Sequence, residues 1–80
     1  MKYKAKYHHL DLEVYQEDGK WVVLAKDQFY TSNLSNKFDI AQGAKLAATG
    51  NADLHLKKFY EDMPYESLPQ ERIRWVEVKA

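Results

Sequence analysis

His8-His9-Leu10-Asp11-Leu12-Glu13-Val14 and, across Asp18-Gly19, Lys20-Trp21-Val22-Val23-Leu24-Ala25-Lys26 decide how this chain folds. In the first run the even positions from Leu10 onward are apolar and the odd ones polar, a period of two that turns one strand face to a core and the other to water. Asp18-Gly19 supplies two residues that accept the positive φ angles of a type I′ turn, and the β-branched and aromatic run after it reads as the return strand. With those two as the loop, Glu17 faces Lys20, Val14 faces Val23 and Leu12 faces Ala25, so apolar partners meet on one face throughout. The predicted hairpin spans 3–15 and 20–26. Its opposite face carries Glu13, Tyr15, Val22 and Leu24. That face is too apolar for water alone, which makes Tyr15 and Val22 candidate partner-binding residues.

Downstream, Phe29 to Thr31 reads as a short third strand, 28–31, followed by a polar loop. Asp39-Ile40-Ala41-Gln42 has the capping-box spacing, and Ala41, Ala44, Ala48, Ala52, Leu56 and Phe59 then recur at helical intervals. One amphipathic helix over 40–60 is expected. Gly50-Asn51 is the weak point, because glycine costs about 1 kcal/mol against alanine inside a helix and Gly-Asn also suits a C-terminal cap. Two helices hinged there are the alternative. Met63-Pro64 and Leu68-Pro69 interrupt regular structure, after which Arg72 to Lys79 reads as a last strand, 72–79. A helix over 67–76, started by Ser67 and Gln70, competes with it, and Val76 and Val78 favour the strand. The expected fold class is α+β, a small two-layer domain with an antiparallel sheet packed on one helix.

Eighty residues allow one core and hence a single domain, 1–80, and two Trp, six Tyr and three Phe supply the apolar area for it. Twelve basic and twelve acidic residues cancel. Each half of the chain holds six of either sign, so no charged tail and no long-range field toward polyanions is present. Without cysteine, disulfides, thiolate metal sites and cysteine nucleophiles are excluded. The sequence shows no apolar run of export-signal or membrane-span length, and a cytoplasmic protein with no membrane association is expected.

Few residues point to chemistry. His9 and Asp11 project to one side of a strand, and His55 is a third donor that would complete a metal site, but adjacent strand residues such as His8 and His9 face opposite ways and no zinc-motif spacing occurs. Ser32, Ser35 and Ser67 lie in turn-rich sequence with no nucleophile elbow. Glu61, Asp62 and Glu66 read as a solvated loop, and Gly43 and Gly50 lie inside a helix and not in a phosphate-binding loop. No cofactor, catalytic residue or metal ligand is assigned.

Two surfaces suggest binding. In Lys2-Tyr3-Lys4-Ala5-Lys6-Tyr7, lysines take one side of an extended segment, and Tyr3 and Tyr7 the other. That is either an edge strand protected by lysine or, together with Lys26, Arg72 and Arg74, a nucleic-acid stripe. On the helix, Gly43, Ala47, Gly50 and Leu54 form one ridge, suited either to close packing on the protein's own sheet or to a partner. The expected function is a small non-enzymatic interaction module that binds another protein, as adaptor, regulator or inhibitor, or a second copy of itself as a homodimer. The alternatives are a nucleic-acid-binding domain using Lys2, Tyr3, Lys4, Lys6 and Tyr7, and a metal-dependent enzyme built on His9, Asp11 and His55.

Overall fold

The computed structural model describes residues 1–63 and 65–79. A five-stranded antiparallel sheet carries one helix on one of its faces. The strands are β1 (Lys2–Tyr7), β2 (Leu10–Glu17), β3 (Lys20–Lys26), β4 (Thr31–Asn33) and β5 (Val76–Val78), in the order β4-β3-β2-β1-β5, and the helix is α1 (Ala41–Phe59). The predicted α+β two-layer fold is therefore present. So is the central register, with Glu17 opposite Lys20, Val14 opposite Val23 and Leu12 opposite Ala25. The turn joining β2 to β3 places Asp18 at φ 52° and Gly19 at φ 78°, both in the left-handed region that a type I′ hairpin requires.

The predicted strand 3–15 is corrected: it is two strands folded back on each other at His8-His9. His8 takes φ 56°, and β1 returns as β2 with Tyr7 opposite Leu10, Ala5 opposite Leu12 and Tyr3 opposite Val14. The physical signal is a change of phase. Inward positions are odd in β1 and even in β2, and only a reversal over an even number of residues keeps both sets on one face. The third strand also moves from 28–31 to 31–33, because Asp27 Oδ1 accepts from the backbone N–H of Phe29 at 2.7 Å and of Tyr30 at 2.8 Å and closes a turn where the strand was expected.

The helix is continuous through Gly50, so the two-helix alternative does not hold. Its N-cap is Ile40 without a side-chain bond, and the Asp39 carboxylate binds Lys20 instead of capping. The last strand is confined to Val76–Val78, preceded by a single 3-10 turn at Gln70–Arg72 after Pro69. The interruption expected at Met63-Pro64 falls partly on Pro64, outside the described residues. Helix and sheet meet over Ala44, Ala48, Ala52 and Leu56 on one side and Tyr7, Leu10, Leu12, Val14, Val23 and Ala25 on the other. Alanines at the contact let the helix lie close on the sheet, and each buried Leu or Val contributes about 1.5–3 kcal/mol. Among the described residues no helix is long and apolar enough to cross a membrane.

Candidate functional site

The helix covers one sheet face and leaves the other without a second layer, and this asymmetry sorts the charged side chains. On the helix-free face β1 presents Lys2, Lys4 and Lys6, β2 presents Asp11, Glu13, Tyr15 and Glu17, and β3 presents Lys20, Val22, Leu24 and Lys26. Tyr15 and Val22 are direct cross-strand partners, both half-buried. β5 pairs Val76 with Lys4 and Val78 with Lys2, which adds two exposed valines to the same face. Continued backward, that register brings Arg74 opposite Lys6. Arg72 and Arg74 line a shallow notch of about 430 Å³ with Lys4, Lys6, Asp11 and Val76.

Glu13 lies in the middle of this face with its side chain only 4% exposed, because Lys2 and Lys26 lie over it from the two neighbouring strands at 2.7 and 2.6 Å. Burial acts to raise its pKa, and the two ammonium groups outweigh burial and hold it below the ordinary carboxylate range. Asp11 pairs with Lys6. Among the described residues no carboxylate lies within ion-pair distance of Lys4, Arg72 or Arg74.

The alternation predicted for Lys2 to Tyr7 holds, and its consequence for nucleic acid is unfavourable. Tyr7 is fully buried, its hydroxyl donating to Asp53 and accepting from the Leu68 N–H at 2.9 Å. Tyr3 packs on Trp21 and lies under Lys45 of α1, 3.7 Å from its ring centre. Neither ring is on the lysine side. β1 is also not a free edge, since β5 pairs with it over Lys2 to Lys4.

The helix ridge splits. Gly43 approaches Phe38, with an added Cβ falling 3.6 Å from that ring, whereas Gly50 faces open space and Leu54 is 63% exposed. Packing on the sheet belongs instead to the Ala44, Ala48 and Ala52 stripe, so it does not account for Gly50. Small residues tolerated toward water explain nothing further about this ridge.

The metal constellation is not formed. Among the described residues no three His, Asp or Glu side chains are placed to hold an ion, and Asp11 is on the open face while His55 is in the core. The hub is Asp27, which lies between the predicted strands 20–26 and 28–31 and belongs to no sequence motif. Its Oδ2 accepts from Tyr60 at 2.6 Å and lies 3.0 Å from His55 Nε2 and 3.6 Å from His9 Nε2. Burial acts to raise the pKa of Asp27, but bonds from Tyr60, His55 and the Phe29 and Tyr30 amides prevail and hold it well below the usual carboxylate range. An ionised carboxylate only accepts, so Nε2 of His55 carries a proton toward Asp27, and Nδ1 lies 2.6 Å from the Ser32 hydroxyl.

Ser32, His55 and Asp27 are the groups of a nucleophilic relay, of which Asp27 alone lines a cleft. His55 is 1% exposed, its ring wedged against Phe59 at 4.9 Å, and Ser32 sits within a strand on the helix-facing side. The two clefts at this end of the sheet are lined by Tyr60, Met63 and Tyr65 and include neither Ser32 nor His55. The chain of bonds joins the β3–β4 turn, β4 and α1, which Asn51 reinforces by donating to the Ser32 carbonyl at 3.2 Å. No protein-family model, no curated protein and no solved structure matches this chain.

Proposed function

We propose that this chain is a small non-enzymatic interaction module that binds another protein, and that the helix-free sheet face is its working surface. One observation carries the reading: a chain of zero net charge gathers Lys2, Lys4, Lys6, Lys20, Lys26, Arg72 and Arg74 on and beside a face whose strands, among the described residues, offer the carboxylates Asp11, Glu13 and Glu17. Tyr15, Val22, Leu24, Val76 and Val78 lie among these cations. An apolar patch within a polar, charged rim is the layout of a protein interface, in which charge selects the partner and apolar area holds it. A homodimer through this face would bring cations against cations, which favours a different protein as the occupant. The Ser32, His55 and Asp27 chain is structural on this reading.

The same cations favour, as a second reading, a nucleic-acid-binding domain. Against it, Tyr3 and Tyr7 point inward, so Lys2, Lys4 and Lys6 have no ring of their own strand on which bases would stack.

Photo-crosslinking in the native host tests both. A crosslinking side chain at Val22 is expected to trap a protein, and one at Leu54 on the helix ridge to trap none. A nucleic acid trapped at Val22 overturns the first reading for the second. Trapping at Leu54 alone moves the working surface to the helix.

A further inference from the structure

The notch between β1 and the segment leading into β5 has a composition that selects its occupant. Lys4 and Lys6 reach it from β1, Arg72 and Arg74 from the opposite bank, Val76 lines it, and Asp11 sits within it bound to Lys6. Resting on the protein-binding reading above, we infer that this notch receives the side-chain carboxylates of an acidic, partly apolar segment of the partner protein.

Three features lead there. Lys4, Arg72 and Arg74 have no carboxylate within ion-pair distance among the described residues. Arg72, at the end of the 3-10 turn, and Arg74, two residues on, each offer the planar guanidinium fork that a carboxylate fits bidentately. The ground beside them is apolar, with Val76 62% and Val78 36% exposed on the same face, so a segment that alternates acidic and aliphatic side chains has a place for both. Asp11 distinguishes a peptide from a phosphate chain. A carboxylate in the notch accepts from peptide N–H groups, whereas a phosphodiester backbone brings no donors to it.

The test is an amide-resolved NMR titration of the whole chain with a synthetic peptide of alternating glutamate and valine. Its glutamine counterpart, single-stranded oligothymidylate and sodium phosphate serve as separate arms. The glutamate peptide is expected to shift the amides of Lys4, Lys6, Arg74 and Val76, to weaken as salt is raised, and to lose on the order of tenfold in affinity in Arg72→Gln/Arg74→Gln. The exposed pair Lys57→Gln/Lys58→Gln on the helix is the control and is expected to change nothing. No salt-sensitive shift at the notch overturns the inference. Equal binding of the glutamine peptide at the same face also overturns it, while leaving the protein-binding reading standing. Tighter binding of oligothymidylate through these residues overturns both, and shifts by phosphate alone that match the peptide's reduce the notch to a simple anion site.

Discussion

Asp27 and His55 meet at 3.0 Å across the junction of the β3–β4 turn with the helix, 28 residues apart in sequence, with side chains 3% and 0% exposed. Together with Tyr60 and Ser32 they form a polar knot that fastens the end of the sheet to α1. The Ser32 bond is made by the other nitrogen of the His55 ring.

Asp27→Asn is expected to destabilise the fold by about 2–3 kcal/mol, because it removes charge-assisted bonds and offers an N–H₂ where His55 and Tyr60 need an acceptor. Ser32→Ala removes only a neutral bond and should cost about 1 kcal/mol. Urea unfolding followed by tryptophan fluorescence measures both. Equal losses would mean that Asp27 holds the knot no better than a hydroxyl.

Acid should loosen the protein through the same carboxylate. The folded-state pKa of Asp27 is depressed, so its contribution is fully present above the unfolded value of about 4 and is lost as pH falls below that. Wild-type stability should therefore drop below about pH 4 more steeply than that of Asp27→Asn. Parallel curves for the two proteins would remove Asp27 as the titrating group.

At the alkaline end, the hydrogen bond to Asp27 pushes the Tyr60 hydroxyl up to about 12. Burial and the bond to Asp53 raise Tyr7 as well. Ultraviolet titration should show these two ionising above the ordinary phenol value near 10, and Asp27→Asn should return Tyr60 toward it while leaving Tyr7 in place. Because the protonated form is favoured in the fold, the associated stability is present below about pH 10 and fades as pH rises through the folded value.

Gly50 offers a stabilising change. Nothing lies within 4 Å of an added Cβ there, and the helix is continuous, so Gly50→Ala should add about 1 kcal/mol and Gly50→Leu should be tolerated. Thermal melts by circular dichroism read the effect. Destabilisation by either change would show that the ridge is packed in solution.

Leu12→Asp and Val23→Asp should each abolish folding, since both side chains are fully buried at the centre of the sheet and an unpaired charge there costs several kcal/mol. Gly19→Val should weaken the hairpin, because a β-branched residue resists φ 78°.

What the sequence by itself determined is local. Alternation with period two set the β2–β3 register, Asp18-Gly19 set its turn, and alanine spacing set the helix, since each depends on neighbours within a few residues. The His8-His9 reversal is legible too, in the phase change between Tyr7 and Leu10, but neither histidine is a habitual turn residue, so local pattern alone predicts one continuous strand.

The tertiary structure alone decided where separated charges gather. Arg72 and Arg74 join Lys4 and Lys6 only because β5 takes the place beside β1 and not beside β4, a choice that no local pattern encodes. Asp27 and Ser32 come from the β3–β4 region and His55 and Tyr60 from the end of α1, and the two pairs acquire a common purpose only when the helix docks. Short polar side chains reach one another over about 3 Å, so their partners are set by packing and not by spacing along the chain.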